Sequence, residues 1–259
     1  METTNTLDSA FNDPVPEMPR PLSTQVLLQC GAFYEGTWHT EAEVRELTGE
    51  DEEYLAGIET KSDITFSEYL SALLKKAVVK IGDIPSSAIA TAVDNLIISD
   101  RDLLFVGIVR ATYGKEREFT TRCPSCREKN DVVINVDDDF PVQTPNIDLR
   151  NPIEIKLRNN QIIKMRLPNG LDSALVGKSS TSVASQNTLM IARCSVWEED
   201  KPSDIEKWAK SLNIADRAKL VKALTDVTAG PKMEGVNVQC AHCGYDMPIR
   251  VDWISLLFS

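Results

Sequence analysis

The sequence predicts an α+β fold of two similar lobes, the product of an internal duplication, joined at a four-cysteine metal site. Three observations lead there. First, LIISDRDLLFVGIVRATYG (96–114) aligns without a gap on LNIADRAKLVKALTDVTAG (212–230). Leu96, Ile98, Asp100, Arg101, Leu104, Thr112 and Gly114 recur as Leu212, Ile214, Asp216, Arg217, Leu220, Thr228 and Gly230. Second, each copy is followed by a CxxC pair, Cys123 with Cys126 and Cys240 with Cys243. Third, a strand pattern follows each pair, Val132 and Ile134 matching Ile249 and Val251. A period above 100 residues means a two-lobed tandem and not a solenoid.

Residues 1–20 are polar, contain prolines and show no periodicity, the pattern of a flexible arm. The first lobe then spans 21–143 and the second 144–259. STQVLLQCGAFYEGTWHT (23–40) is rich in β-branched and aromatic residues broken by Gly31 and Gly36, a strand signature. Thr48 opens an acidic helix that Gly57 is expected to end. Thr65 with Glu68 forms a capping box, and Phe66, Tyr69, Leu70, Leu73, Leu74 and Ala77 recur at helical spacing. Ser99 with Asp102 marks the start of the next helix, and Gly114 lies just past its end. DVVINVD (131–137) reads as a strand. In the second lobe, IEIKLRNNQIIKMRLPNG (153–170) reads as a hairpin turning on Asn159-Asn160. Leu189, Met190, Cys194 and Val196 then occupy the places of Leu73, Leu74, Val78 and Lys80.

The formal net charge of −11 argues against a phosphate-binding surface, because nucleic-acid affinity comes largely from Lys and Arg neutralising phosphates. The first twenty residues carry neither a basic n-region nor an apolar core, so no signal peptide is expected. No apolar run reaches the roughly 18 residues of a membrane span. Six cysteines without a secretory signal point to a reducing compartment, where paired cysteines hold metal more often than they form disulfides.

A single CxxC pair supplies half of a tetrahedral shell, and the other half lies in the other copy. Cys123, Cys126, Cys240 and Cys243 are therefore expected to bind one structural Zn²⁺ per chain, the two-residue spacers letting each turn place both sulfurs on one ion. Gly244 after the second pair suits the positive φ of such a turn, whereas Arg127 stands at that place in the first. An iron–sulfur cluster takes the same four thiolates. A redox dithiol would sit at a strand-to-helix junction, and both pairs here follow a helix and precede a strand. Loss of metal with buried or disulfide-bonded pairs is the remaining alternative, and pairing between two chains would give the same stoichiometry. Cys30 and Cys194 lie in apolar segments and read as buried thiols. His39 and His242 read as structural, and the acidic runs at 137–139 and 198–200 as solvated loops. There is no G-x-S-x-G, P-loop or G-x-G-x-x-G, and no catalytic constellation emerges.

ISDRDLLFVGIVRATYG, the paired CPSC and CAHC, and the apolar end DWISLLFS together resemble the T-even-type bacteriophage baseplate hub assembly proteins, over roughly residues 20–259. The resemblance implies a non-enzymatic structural or assembly protein of the baseplate hub, with other hub or tail proteins as partners. No small-molecule substrate, nucleic acid or membrane is expected. It implies the host cytoplasm during tail assembly as the location, with retention in the virion tail baseplate left open. Members often end in adjacent phenylalanines, where this chain has Leu257-Phe258-Ser259. Two other classes stay open from the residues alone: a zinc-containing nucleic-acid-binding or transcription factor, and a dithiol oxidoreductase.

Overall fold

The computed structural model describes residues 23–60, 63–179, 182–199, 201–232, 236–249 and 256–257. The N-terminal arm lies outside them. Strand β1 (Ser23–Tyr34) turns at Glu35-Gly36 into β2 (Thr37–Arg45), and both turn residues hold positive φ, 45° and 83°. Helices α1 (Gly49–Glu59) and α2 (Phe66–Ala77) follow, then β3 (Val78–Ile81), which closes an antiparallel sheet of order β1-β2-β3. Helices α3 (Ser86–Asn95) and α4 (Ile98–Tyr113) lead through Gly114 to the hairpin of β4 (Glu116–Arg122) and β5 (Lys129–Asn135).

A two-residue strand, β6 (Val142–Gln143), precedes the second half. There β7 (Ile153–Lys156), β8 (Ile162–Met165), α5 (Gly170–Ser179), α6 (Val183–Cys194) and β9 (Ser195–Val196) build a second antiparallel sheet of order β7-β8-β9. Helices α7 (Ile205–Ser211) and α8 (Ile214–Thr225) follow, then β10 (Gly230–Pro231), which pairs with β6. The hairpin of β11 (Val236–Gln239) and β12 (Asp246–Ile249) completes the series. Both halves thus run strand, strand, two helices, strand, two helices and a terminal hairpin, with β10 inserted before the hairpin in the second.

The apolar residues predicted on α2 form its buried stripe, Tyr69, Leu70, Leu73, Leu74 and Ala77 at the three- and four-residue spacing of one helix face. They join Leu55, Ile81, Leu104, Phe105 and Ile108 in the first core, while Ile155, Met165, Ile191 and Leu220 centre a second. Full burial of an aliphatic side chain such as Leu73 contributes about 2 kcal/mol. Leu256 and Leu257 also sit in the first core, and Val236, Val238 and Ile249 of the last hairpin pack against it. The Tyr113 hydroxyl donates to the Leu257 carbonyl and Arg117 Nε to that of Leu256 at 3.0 Å. The tail residues Trp253, Ile254 and Phe258 lie outside the described residues.

The repeated Asp-Arg dipeptides bond backbone groups and, through each arginine, one buried hydroxyl. Arg101 donates from Nη1 to the Val93 carbonyl (3.0 Å) and from Nη2 to the Ser71 hydroxyl (2.8 Å) and the Ser67 carbonyl (3.4 Å). Arg217 donates to the Ala209 carbonyl (2.7 Å), the Thr188 hydroxyl (2.8 Å) and the Ala184 carbonyl (3.0 Å). Each guanidinium reaches eight residues back along the chain and to the second helix of its half. Asp100 accepts the amides of Gln29 (2.7 Å), Cys30 (3.1 Å) and Gly31 (2.7 Å), where β1 shifts register against β2. Gly31 is required there, because φ is +89° and a Cβ would stand 2.5 Å from the His39 carbonyl oxygen. Asp216 accepts the amide of Arg158, just past β7. Ion pairs six residues apart recur too, Arg45 with Asp51 and Arg166 with Asp172, both at 2.6 Å.

Two expected boundaries move. Helix α1 runs through Gly57 to Glu59 and ends at Thr60, whose amide bonds back to Ala56. Gly57 does not take the positive φ that makes glycine a helix stop. Helix α4 begins at Ile98 with no side-chain cap at Ile97, one residue before the Ser99 signal.

Candidate metal centre

Each CxxC pair occupies the turn of a two-stranded hairpin, and the two turns share one hydrogen-bond pattern. The Cys123 amide donates to the Glu128 carbonyl and the Arg127 amide to the Cys123 carbonyl, both at 2.9 Å. In the second turn the Cys240 amide donates to Tyr245 and the Gly244 amide to Cys240, again at 2.9 Å. Arg127 and Gly244, one residue past each pair, have φ of 64° and 70°. Glycine adopts that region freely, whereas a residue with a Cβ costs about 1–2 kcal/mol there. The first turn therefore holds Arg127 against its intrinsic preference.

The two hairpins bring all four sulfurs of one chain within 4.8 Å of one another. Cys123 Sγ lies 3.7 Å from Cys243 Sγ, and Cys126 Sγ 3.6 Å from Cys240 Sγ. A tetrahedron with metal–sulfur bonds of about 2.3 Å has sulfur–sulfur edges of about 3.8 Å, so both contacts fit a shared ion. Each pairs a cysteine of one hairpin with a cysteine of the other, which tetrahedral closure across an interface needs. All six cysteines are free thiols. Cys123 and Cys240 are buried beside Met247, Cys126 is half-buried and Cys243 exposed.

The thiols do not titrate alike. Desolvation raises Cys240, but the amides of His242 and Cys243 and the neighbouring thiols of Cys126 and Cys243 outweigh it and bring its pKa down to about 6. Cys126 gains an amide hydrogen bond from Glu128 that lowers it, yet desolvation and the three other thiols raise it to about 12. Four sulfurs this close cannot all ionise unaided, since each new thiolate repels the last. A soft divalent cation removes that conflict, and thiolate ligands select for one. The donor set fits a tetrahedral thiolate-bound metal.

Further polar contacts join the hairpins. The Ala241 amide donates to Asn130 Oδ1 at 3.0 Å, and Asn130 Nδ2 donates to the Glu128 carbonyl at 3.1 Å. His242 Nε2 lies 3.2 Å from the Lys129 carbonyl oxygen, so its ring faces the other hairpin's backbone. Asn130 is a site residue with no signal in the sequence, because an asparagine at a strand start is ordinary surface until the second hairpin covers it.

The other sequence candidates are placed apart from the sulfurs. Cys30 and Cys194 are buried, and burial pushes both thiols up to about 12. His39 Nδ1 accepts the Asp83 amide at 3.4 Å. Asp137 pairs with Arg110 and Lys115, Asp139 accepts the Asn135 amide, and Glu198 pairs with Lys164. Among the described residues, the four cysteines form the one group of three or more His, Cys, Asp and Glu side chains positioned to hold a metal. No helix among those residues is long and apolar enough to cross a membrane.

Residues 35–258 match a protein family described as T4 bacteriophage base plate protein. The match takes in both halves and all four clustered cysteines. Neither a curated protein nor a solved structure matches the chain.

Proposed function

Because the chain belongs to the T4 bacteriophage base plate protein family, we propose that it is a non-enzymatic structural or assembly protein of the baseplate hub. Its ligands Cys123, Cys126, Cys240 and Cys243 hold one structural Zn²⁺ per chain. The observation that carries the metal assignment is the four-sulfur cluster built from two hairpins over 100 residues apart. A bound Zn²⁺ supplies a cross-link there, and the chain's own part is to present four thiolates on two matched turns. Zinc is favoured over an iron–sulfur cluster because sulfur contacts of 3.6 and 3.7 Å match the edges around a single ion.

The two halves descend from one duplicated unit, with lobes at 21–143 and 144–259. The recurring sheet orders, the matched Arg101 and Arg217 contacts and the shared positive φ of Gly114 and Gly230 support this. Partners are other hub or tail proteins, met in the host cytoplasm during assembly. A net charge of −11 fits protein partners better than nucleic acid.

One preparation tests both parts. The tagged chain is recovered from infected cells before and after tail completion, and its metal content and mass are measured. A chain that copurifies with tail proteins and, purified, is a monomer with one zinc is the expected result. A metal-free native protein with four freely reactive cluster thiols removes the zinc assignment. Recovery without any tail protein removes the baseplate role.

A further inference from the structure

Sheet edges are a liability, and this molecule covers only part of one. In the sheet of order β1-β2-β3, β1 has a neighbour on one side alone among the described residues. Which of its backbone groups face outward follows from β2. The Glu41 carbonyl accepts the Gly82 amide, so Glu41 faces β3. Its cross-strand partner Leu27 then presents its own N–H and C=O to the opposite, open side. By alternation Ser23 and Gln25 do the same. The next outward amide, Gln29, is capped by Asp100, as are Cys30 and Gly31. Ser23, Gln25 and Leu27 have no such cap among the described residues. The edge is thus closed at Gln29–Gly31 and left open before them over Ser23–Leu27, a length of about 15 Å.

A groove of about 640 Å³ runs along that open stretch, lined by consecutive residues Thr24 to Gln29. Its floor is apolar, with Leu103, Val106 and Phe140, and its far wall is the β6–β10 ribbon with Val142 and Pro231. Gln29 spans the groove to that wall, donating to the Gln143 carbonyl and accepting the Gly230 amide, each at 2.7 Å. Leu27 and Val142 stand exposed on its two rims, at 71% and 57%.

We infer that this groove takes up one extended segment of another tail protein, which adds to β1 as a fourth strand of the sheet. Outward N–H and C=O groups at alternate residues match an extended backbone, and the apolar floor takes its inward side chains, the pattern of strand addition at a sheet edge. Residues 14–22, which lead directly into β1, are a poor donor, since Pro14, Pro16, Pro19 and Pro21 lack the amides a ladder needs. The inference rests on the proposed baseplate role for the identity of the partner.

Amide hydrogen exchange at single-residue resolution, on the full chain alone and in its complex with copurified tail proteins, is the test. Gln25 and Leu27 are expected to exchange freely in the isolated chain and to slow at least about a hundredfold in the complex. Thr24 and Val26, which face β2, should be protected in both. Leu27→Pro removes an outward donor without breaking the β1–β2 ladder, and is expected to lose the strand-donating partner at an unchanged melting temperature. Gln25 and Leu27 amides already protected in the isolated chain would overturn the inference in favour of the chain's own first residues or, if the mass doubles, a second copy. Unprotected amides in an intact complex overturn it while leaving the baseplate role standing. A chain that captures no tail protein removes the role itself, and the inference with it. Should Leu27→Pro fail to fold, the wild-type exchange pattern decides.

Discussion

Replacing Arg101 and Arg217 by alanine, one at a time, separates what a hydrogen-bond set contributes from where it sits. The two guanidiniums make matching bonds, each to a carbonyl eight residues back and to a hydroxyl on the second helix of its half at 2.8 Å. Their surroundings differ. Arg101 is 1% exposed, with Gly170 packed on it so closely that a Cβ there would meet Nη1 at 2.2 Å. Arg217 is half-buried. Removing Arg101 strands the Val93 carbonyl in the core, at about 1–3 kcal/mol, and opens a void, while the Ser71 hydroxyl keeps its bond to the Ser67 carbonyl. Burial of an unpaired charge offsets part of this, since desolvation lowers the Arg101 pKa, and the net loss is about 3–5 kcal/mol. At Arg217 water replaces the lost donor, which limits the loss to about 1 kcal/mol. Urea denaturation followed by circular dichroism measures both, and in a background with Trp38 and Trp253 replaced by phenylalanine the fluorescence of the Trp197–Trp208 pair, centroids 4.9 Å apart, reports the second half separately. Equal losses, or the larger one at Arg217, would refute the argument that burial sets the magnitude.

Other outcomes follow from the same structure. If the proposed metal cross-links the hairpins, Cys240→Ser opens a closure of 114 residues, a loop worth about 4–5 kcal/mol of chain entropy, and is expected to release the metal and lower the melting temperature by roughly 10 °C or more. An unchanged melting temperature with metal retained contradicts the four-ligand site. Deleting residues 254–259 takes Leu256 and Leu257 out of the first core and should destabilise the chain by about 4 kcal/mol or more; a variant as stable as the parent would assign the tail to docking alone. The Arg45 guanidinium and the Thr48 amide and hydroxyl outweigh desolvation and hold the buried Asp51 carboxyl down at about 2, below its ordinary 3.8. Its contribution, about 2 kcal/mol, is complete above pH ~4 and is lost as pH falls through ~2. Asp51→Asn should flatten that part of the acid-unfolding curve, and an unaltered curve counts against the pairing. Gly170→Ala forces a methyl onto the Arg101 guanidinium and is expected to destabilise by about 1–3 kcal/mol, read by the same urea titration.

The elements that sequence made legible are those whose signal is local. Thr65 and Glu68 form the capping box their spacing announces, with both side-chain bonds present. Asn160 takes positive φ in the β7–β8 turn, and Gly114 and Gly230 take it after their helices, as their residue types suggest. The first hairpin was harder, because Glu35 at φ 45° is an unusual turn residue and hid the break between β1 and β2. Cysteine spacing identified the four sulfurs, yet spacing alone left a two-chain arrangement open, and only tertiary packing brings both pairs together within one chain. Asp100 fell inside a recognised helix start, but its carboxylate is turned away from its own helix to hold β1. The Arg45–Asp51 and Arg166–Asp172 pairs did leave a trace, RELTGED against RLPNGLD, in which Arg, Gly and Asp keep one spacing.

The spacing of the sulfurs also governs the route by which the molecule forms. Contacting cysteines lie 114 and 120 residues apart, so no local folding event assembles the cluster. The first hairpin, once formed, offers two thiols and an unfinished coordination shell until the last hairpin arrives. During that interval the shell cannot distinguish its own second hairpin from that of a neighbouring chain. Intramolecular closure wins while the effective concentration of the tethered hairpin, on the order of millimolar for a flexible link, exceeds that of free chains. Dilute refolding therefore favours closed monomers, and crowded refolding with metal present favours chains that have exchanged hairpins around identical four-sulfur sites.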